Sequence, residues 1–424
     1  MSRIFYVLCL ASFMSCVLCP VSCVMCPVSC VLSPVSCVLC PVSCVLCLVL
    51  KKFTKFALTK QLIIFLYRSM KSHHWKYLLV YITPVLVFIS IYLGGLWSFL
   101  AFGYVFVLVP FLELFLKGTT INLDPGEEEI AKNDRFYDYV IYGLVPCQLG
   151  LLIFFLFRLE DQSLMLWEKL GIMTAMGISC GTLGINAAHE LGHRKTRYEQ
   201  ILSKILLATT QYMHFFIEHN RGHHKNVSTD EDPASSRLGE HLYAFYVRSV
   251  RDSWLSAWQL ESDRLKKKQL SFWSFHNEML HFQIIQLSIV VGILAIFGWD
   301  ILLFYLGASA MGFLLLETVN YIEHYGLTRL KNENGFYEPT KPVHSWNSNH
   351  ALGRILLLEL TRHSDHHYMS TRKYQVLRHF DESPQMPTGY PGMILLSFFP
   401  PLWFKVMHRK IEQYKSTRAG HALG

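Results

Sequence analysis

The chain has 424 residues, 52% of them hydrophobic, and a net charge of +8; its mean hydropathy of +0.27 is high for a soluble protein. Length alone would suggest two or three soluble domains, but runs approaching the ~20 apolar residues that cross a bilayer point to one membrane domain with a polar cap. A charge of this size is informative by position rather than by total, and nothing in its distribution asks for nucleic acid as a partner.

In chain order, residues 16–47 come first as a tandem heptapeptide, Cys-Pro-Val-Ser-Cys-Val-Leu and close variants. Ten of the twelve cysteines lie in the first 47 residues; Cys147 and Cys180 are the others. Pairs such as Cys16/Cys19 have the CxxC spacing of a zinc or iron–sulfur site. Here that spacing follows from the period of seven, and no glycine-knuckle or second histidine pattern accompanies it. A reducing cytosol disfavours disulfides, and the recurring Pro and Cys spoil a clean signal-peptide core. Residues 1–69 are therefore expected to lie outside the native fold, with translation starting at Met70 and a single domain over residues 70–424. Peptides from residues 16–47 in the mature protein would refute this start.

Six membrane spans are expected, at 77–95, 96–116, 137–157, 165–188, 280–298 and 300–322. Between Lys51 and Lys76 lie seven Lys/Arg residues and no Asp or Glu, which places that segment in the cytoplasm. Short outer turns then fall at Gly94-Gly95, 158–163 and Gly298-Trp299-Asp300, while Lys195, Arg197, Arg221, Lys225, Lys266 to Lys268, Arg372 and Lys373 collect on the inner side. Leu123-Asp124-Pro125-Gly126 reads as a turn. The apolar stretch 201–217 reads as one buried or in-plane helix, because crossing would separate the histidines on either side of it. Leu395 to Phe404, broken by Pro400-Pro401, is expected to lie against the membrane. The fold class is thus an all-α integral membrane protein with six transmembrane helices and a cytosolic, histidine-rich cap.

Nine histidines occur in four clusters at or just beyond the ends of apolar runs: His189 and His193; His219, His223 and His224; His324; and His363, His366 and His367. Neutral imidazole is a good ligand for iron, copper, nickel and zinc, and nine are too many for one ion. On a helix, residues four apart share a face, so His189 with His193, and His219 with His223, are each placed to bind one ion. Glu190, Glu218, Glu323 and Asp365 each adjoin such a histidine. They could be ligands, but the favoured role is to accept the second ring N–H of a ligand imidazole and fix its tautomer. Asp230, Glu231 and Asp232 either position loops or are solvated. His214 and the remaining histidines lack the spacing and are taken as structural. His189-Glu190-Leu191-Gly192-His193 also matches the HExxH of zinc peptidases, but that reading leaves His219 to His367 without a purpose.

The clusters resemble the membrane di-iron superfamily of fatty-acid desaturases, hydroxylases and alkane monooxygenases. Glu218 to His224, Asn320 to Leu327, Leu360 to His367, Glu231 to Arg237, Pro342 to Ser348 and Pro400 to Phe404 resemble signatures of the alkane 1-monooxygenase family, over roughly residues 75–410. The resemblance implies terminal hydroxylation of n-alkanes with O2 at two non-haem irons held by the nine histidines. It also implies electrons from a separate rubredoxin and its reductase, and a place in a bacterial-type inner membrane. A desaturase, or a hydroxylase of fatty acyl or alkyl-aromatic substrates, is the alternative. The basic face around Arg221, Lys225, Arg362, Arg372 and Lys373 is expected to attract an acidic carrier or lipid headgroups. Trp97, Phe99, Phe102, Tyr104 and Phe106 are expected to include the residue that limits the depth of the substrate passage.

Overall fold

The computed structural model describes residues 74–116 and 118–422; the heptapeptide repeat and Met70 lie outside them. Nearly all of these residues belong to the compact unit Tyr77–Gly424. Among the described residues the architecture is helical, relieved only by two isolated β-bridges, Lys331 with Tyr337 and Asn347 with Gln385.

Five helices are long and apolar enough to cross a membrane: α1 (Trp75–Leu93), α2 (Gly95–Glu113), α4 (Arg135–Leu159), α5 (Leu166–Gly192) and α9 (Glu278–His324). The two glycines expected to turn the chain between the first pair do so with positive φ, 61° at Gly94 and 52° at Gly95. Helix α9 has 47 residues and leaves helical geometry at Gly298 (φ 79°, ψ −178°), so it consists of two apolar halves. Each half, at about 1.5 Å rise per residue, is long enough for the ~30 Å hydrocarbon core. Val85, Phe88, Trp97, Ile153, Ile284 and Leu287 point outward on these helices and are exposed. An apolar surface of that extent is untenable in water and natural against lipid.

The loop between α2 and α4 differs from the expected turn. Asp124 begins α3 (Pro125–Asn133) by accepting the Glu127 N–H, while the Glu127 side chain returns to the Asp124 N–H. That reciprocal capping box satisfies two donors the helix start would leave open. The stretch 201–217 also differs: α6 (Arg197–Thr209) stops, Gln211 turns the chain with φ 55°, and a new helix, α7 (215–226), begins. The remaining helices are α8 (Leu242–Lys267), α10 (Ala351–Leu356), α11 (His363–Tyr368), α12 (Tyr390–Ser397) and α13 (Pro400–Ala422). The apolar 395–404 segment is thus the junction of α12 and α13, with Trp403 buried in the core.

Helices α5 and α9 pack through small residues, as membrane helices do where close backbone approach replaces the hydrophobic effect. A Cβ on Gly312 would lie 2.5 Å from the Cβ of Cys180 and 3.2 Å from its backbone carbon. There is no flexible neighbour to give way. Gly312→Leu is therefore expected to destabilise the protein by about 1–3 kcal/mol or more, read as a lowered unfolding temperature in detergent. Gly307→Ala should cost less, because the atom it meets is the flexible Met173 sulfur.

Three segments of this framework wind as π-helix: Tyr104–Leu108 in α2, Cys180–Asn186 in α5 and His219–His223 in α7. Such wide turns are rare and cluster at functional sites. Each one here delivers residues to the same place.

Candidate metal centre

The nine histidines converge in two groups. His189, His193, His219, His224 and His366 form one, and His223, His324, His363 and His367 the other; within each, the ligand atoms lie within 4.8 Å of one another. In the first group, Nε2 atoms approach at 2.9 Å (His189 and His366), 3.1 Å (His193 and His219), 3.1 Å (His219 and His224) and 3.1 Å (His224 and His366). In the second, the His363 Nε2 lies 2.8 Å from that of His367 and 3.2 Å from that of His324. A neutral imidazole carries one proton, so a ring of nitrogens this close cannot be satisfied by mutual hydrogen bonds alone. Nitrogens about 2.0–2.1 Å from a shared ion, at near right angles, would be about 3 Å apart. The donor set therefore fits a metal in each group. Burial, reinforced by neighbouring imidazoles, holds His219, His366 and His367 well below the usual histidine range. That keeps them neutral, the form that binds metal.

The division between groups departs from the expected helix pairing. His219 and His223, four apart, fall in different groups. The π-turn is the cause: the His224 N–H donates to the His219 carbonyl, an i→i+5 bond that brings His224 rather than His223 alongside His219. On the α-helical turn of α11 the usual rule holds. His363 and His367, four apart, share a group, while His366 joins the other. One short helix and one π-turn thus each serve both groups.

The four predicted carboxylates take different places. Glu323 Oε2 lies 3.0 Å from His363 Nε2, at the metal-facing end of that ring, and its Oε1 accepts the Tyr390 hydroxyl at 2.7 Å. Glu190 pairs with Arg194 at 2.7 Å and faces the Tyr374 N–H. Asp365 accepts Arg372 at 2.5 and 2.6 Å and the Arg378 N–H at 2.7 Å. Both therefore anchor neighbouring segments, and these partners are not ligand imidazoles. Glu218 is buried, with no hydrogen-bond partner for its Oε1 among the described residues; burial, then the nearby Asp232 and Glu317 carboxylates, push its carboxyl well above the usual range. The imidazole acceptor is one that sequence reasoning left undecided. Asp232, buried, takes the Nδ1–H of His223 at 2.8 Å while bonding Ser235 Oγ at 2.6 Å and Ala234 N at 3.1 Å. Its place in the Glu231 to Arg237 segment was the available signal. His214 is buried, belongs to neither group, and its Nε2 has no hydrogen-bond partner among the described residues.

Both groups border one apolar cavity of about 990 Å³, counting the open space at its mouth. His189 and His219 reach it from the first group, and His363, with Glu323, from the second. Its walls come from the three π-segments and their neighbours: Val105 and Phe106 from α2, Thr182 and Asn186 from α5, and Leu315 and Val319 from α9. Of the five aromatics expected to limit depth, only Phe106 lines this cavity; Trp97, Phe99 and Phe102 are exposed on the outside of the bundle. The expected basic face is also largely committed. Arg362 is buried on backbone carbonyls, Arg221 pairs with Glu261 and Glu278, Arg372 with Asp365 and Lys373 with Asp138.

Apolar spans around a buried double histidine centre define an integral membrane metalloprotein. The fatty acid desaturase family model matches residues 165–397. Alkane 1-monooxygenase 2 of Pseudomonas aeruginosa is 42% identical over 325 residues, 75% of this chain and 85% of the relative. Alkane 1-monooxygenase 1 of Alcanivorax borkumensis is 40% identical over 346 residues, 80% and 84% of the two chains. The hydroxylase component of the xylene/toluene monooxygenase of Pseudomonas putida is 27% identical over 346 residues, 78% and 87%. The chain belongs to the fatty acid desaturase family, and within it to the alkane 1-monooxygenases.

Proposed function

We propose that the protein hydroxylates n-alkanes at a terminal methyl group: alkane, O2, two electrons and two protons give 1-alkanol and water. The observation that carries the reading is one apolar cavity bordered by both histidine groups. Two non-haem irons are the metals proposed, with His189, His193, His219, His224 and His366 holding one and His223, His324, His363 and His367 the other. When bound, they supply an oxidant strong enough for an unactivated C–H bond, and the protein supplies position and exclusion. Asp232 keeps the proton of His223 on Nδ1, so its Nε2 lone pair faces inward. Tyr390 orients the Glu323 carboxylate toward the same space. An alkane offers no polar handle, so the apolar walls select the chain end by shape. The electrons come from rubredoxin and its reductase. The chain makes six crossings of a bacterial-type inner membrane, with Gly298 as an outer turn and the metal centre on the cytoplasmic side.

The test is product analysis by gas chromatography and mass spectrometry. Cells expressing the chain with a rubredoxin and its reductase are fed graded n-alkanes under 18O2. Labelled 1-alkanol supports the reading, and its absence with iron bound and rubredoxin reduced overturns it. The likeness to the xylene/toluene enzyme makes an aromatic methyl group the second substrate to offer; faster hydroxylation of p-xylene than of any alkane would favour it.

Phe106 gives a sharper test of the cavity. Phe106→Ala is expected to shift the preferred chain length upward. The ratio between alkanes two carbons apart should move by roughly tenfold or more, since each methylene in an apolar pocket is worth about 1–3 kcal/mol. An unchanged product profile would place the depth limit elsewhere.

A further inference from the structure

The cavity that both histidine groups border is apolar except at a few points, and one of these is unspent. Asn186 lines it and is only 7% exposed, yet its Nδ2 has no hydrogen-bond partner among the described residues. Three other polar side chains in the lining are committed. Thr182 donates to the Ile178 carbonyl at 2.7 Å, Asn320 donates to Glu317 Oε2 at 3.5 Å, and Glu323 accepts the Tyr390 hydroxyl at 2.7 Å. Asn186 closes the π-segment Cys180–Asn186 and enters the α-helical turn that follows with φ −64° and ψ −42°. His189 is three residues further on, and residues three apart on a helix are neighbours on one face. Both line the cavity, so the amide stands beside a metal-binding imidazole. Buried polar groups in folded proteins are paired with few exceptions, because an unpaired one costs its full desolvation. A leucine here would extend the apolar wall without that cost. An amide in its place points to a partner that arrives with the ligand.

We infer that Asn186 is the hydroxyl site of this cavity: its amide donates to the oxygen of a primary alcohol whose chain lies along the apolar walls. The inference rests on the hydroxylation reading above, which makes a 1-alkanol the molecule formed there. An alkane has no atom that can use the amide. Its alcohol has one oxygen, and in an apolar cavity that oxygen is penalised unless it finds a partner. Asn186 meets it beside His189, which lets the chain keep the position it held as an alkane. Asn186 is thus a positioning residue that separates alcohol from alkane. One neutral hydrogen bond of this kind corresponds to about tenfold in affinity. An alcohol supplied from outside reaches the same site, so 1-alkanols compete with alkanes for the cavity.

The experiment uses the full, iron-loaded chain in nanodiscs, with tritiated 1-decanol and n-decane as probes and empty nanodiscs as the blank. The Kd of each is measured by scintillation proximity, beside iron per chain and alkanol formation. In Asn186→Leu the Kd for 1-decanol is expected to rise about tenfold, while that for n-decane and the iron content stay at the wild-type values. Asn186→Gln keeps a donor and should restore part of the preference for the alcohol. Phe106→Ala, which alters a wall, should move both ligands together. If Asn186→Leu does not fold, Asn186→Ala reads the same preference. An unchanged Kd for 1-decanol overturns the inference. So does an equal loss of both ligands, which would make Asn186 part of the wall, and so does a parallel loss of iron, which would make it a support of the metal centre. A wild type that favours 1-decanol through Asn186 yet forms no alkanol from n-decane keeps the hydroxyl site and removes the alkane reading. A wild type that forms alkanol while Asn186→Leu binds both ligands normally does the reverse.

Discussion

His324→Ala is expected to lose about half of the bound iron and all detectable 1-alkanol. His324 ends α9 with its ring fully buried and its Nε2 3.2 Å from that of His363. Its group holds only four histidines, and removing one leaves three donors. The other group keeps all five, so one metal position should survive. His366→Ala supplies the contrast. It leaves four donors in the five-membered group, a complete set by the standard of its neighbour, and iron loss should be smaller even if activity falls. Iron per chain by plasma mass spectrometry, measured beside product, checks both. Equal iron retention in the two variants would contradict the five-and-four division.

Asp232→Ala is expected to weaken metal binding at the four-histidine group by about 10–100-fold, the usual cost of removing an outer partner of a ligand imidazole. Asp232 accepts the His223 Nδ1–H at 2.8 Å, with both side chains buried. Without it the N–H is left unpaired, or the proton moves to Nε2 and occupies the lone pair the metal needs. Asp232→Asn keeps a neutral acceptor and should fall between. Asp230→Ala, at an exposed position two residues away, should leave iron binding unchanged. Chelator competition on the loaded protein measures the difference; identical off-rates for Asp232→Ala and wild type would remove Asp232 from the centre.

Much of the fold was open to direct reading. The spans were legible because an apolar run of bilayer length is a local property, and the glycine turns at Gly94-Gly95 and Gly298 punctuate it. The 201–217 stretch misled because its hydropathy is continuous while its backbone is not: Gln211 turns the chain with no Gly or Pro to announce it. The Asp124 turn misled in the opposite way, since Asp-Pro-Gly-Glu also spells a helix start. The basic residues misled because charge in a sequence carries no record of partner. Arg221, Arg372 and Lys373 look available until Glu261, Asp365 and Asp138 are brought to them.

The histidines show the same boundary most sharply. Their number, chemical type and tight clustering are written in the chain, and with the apolar spans they were enough to indicate a multi-metal membrane centre. Their partition was not. Spacing predicts shared faces only for an assumed helix, and the 219–223 segment winds as a π-turn, pairing His219 with His224. Asp232, Glu323 and the cavity between the groups depend on segments from α1 to α12 meeting in three dimensions. Contacts across such separations are set by packing, which no local pattern encodes.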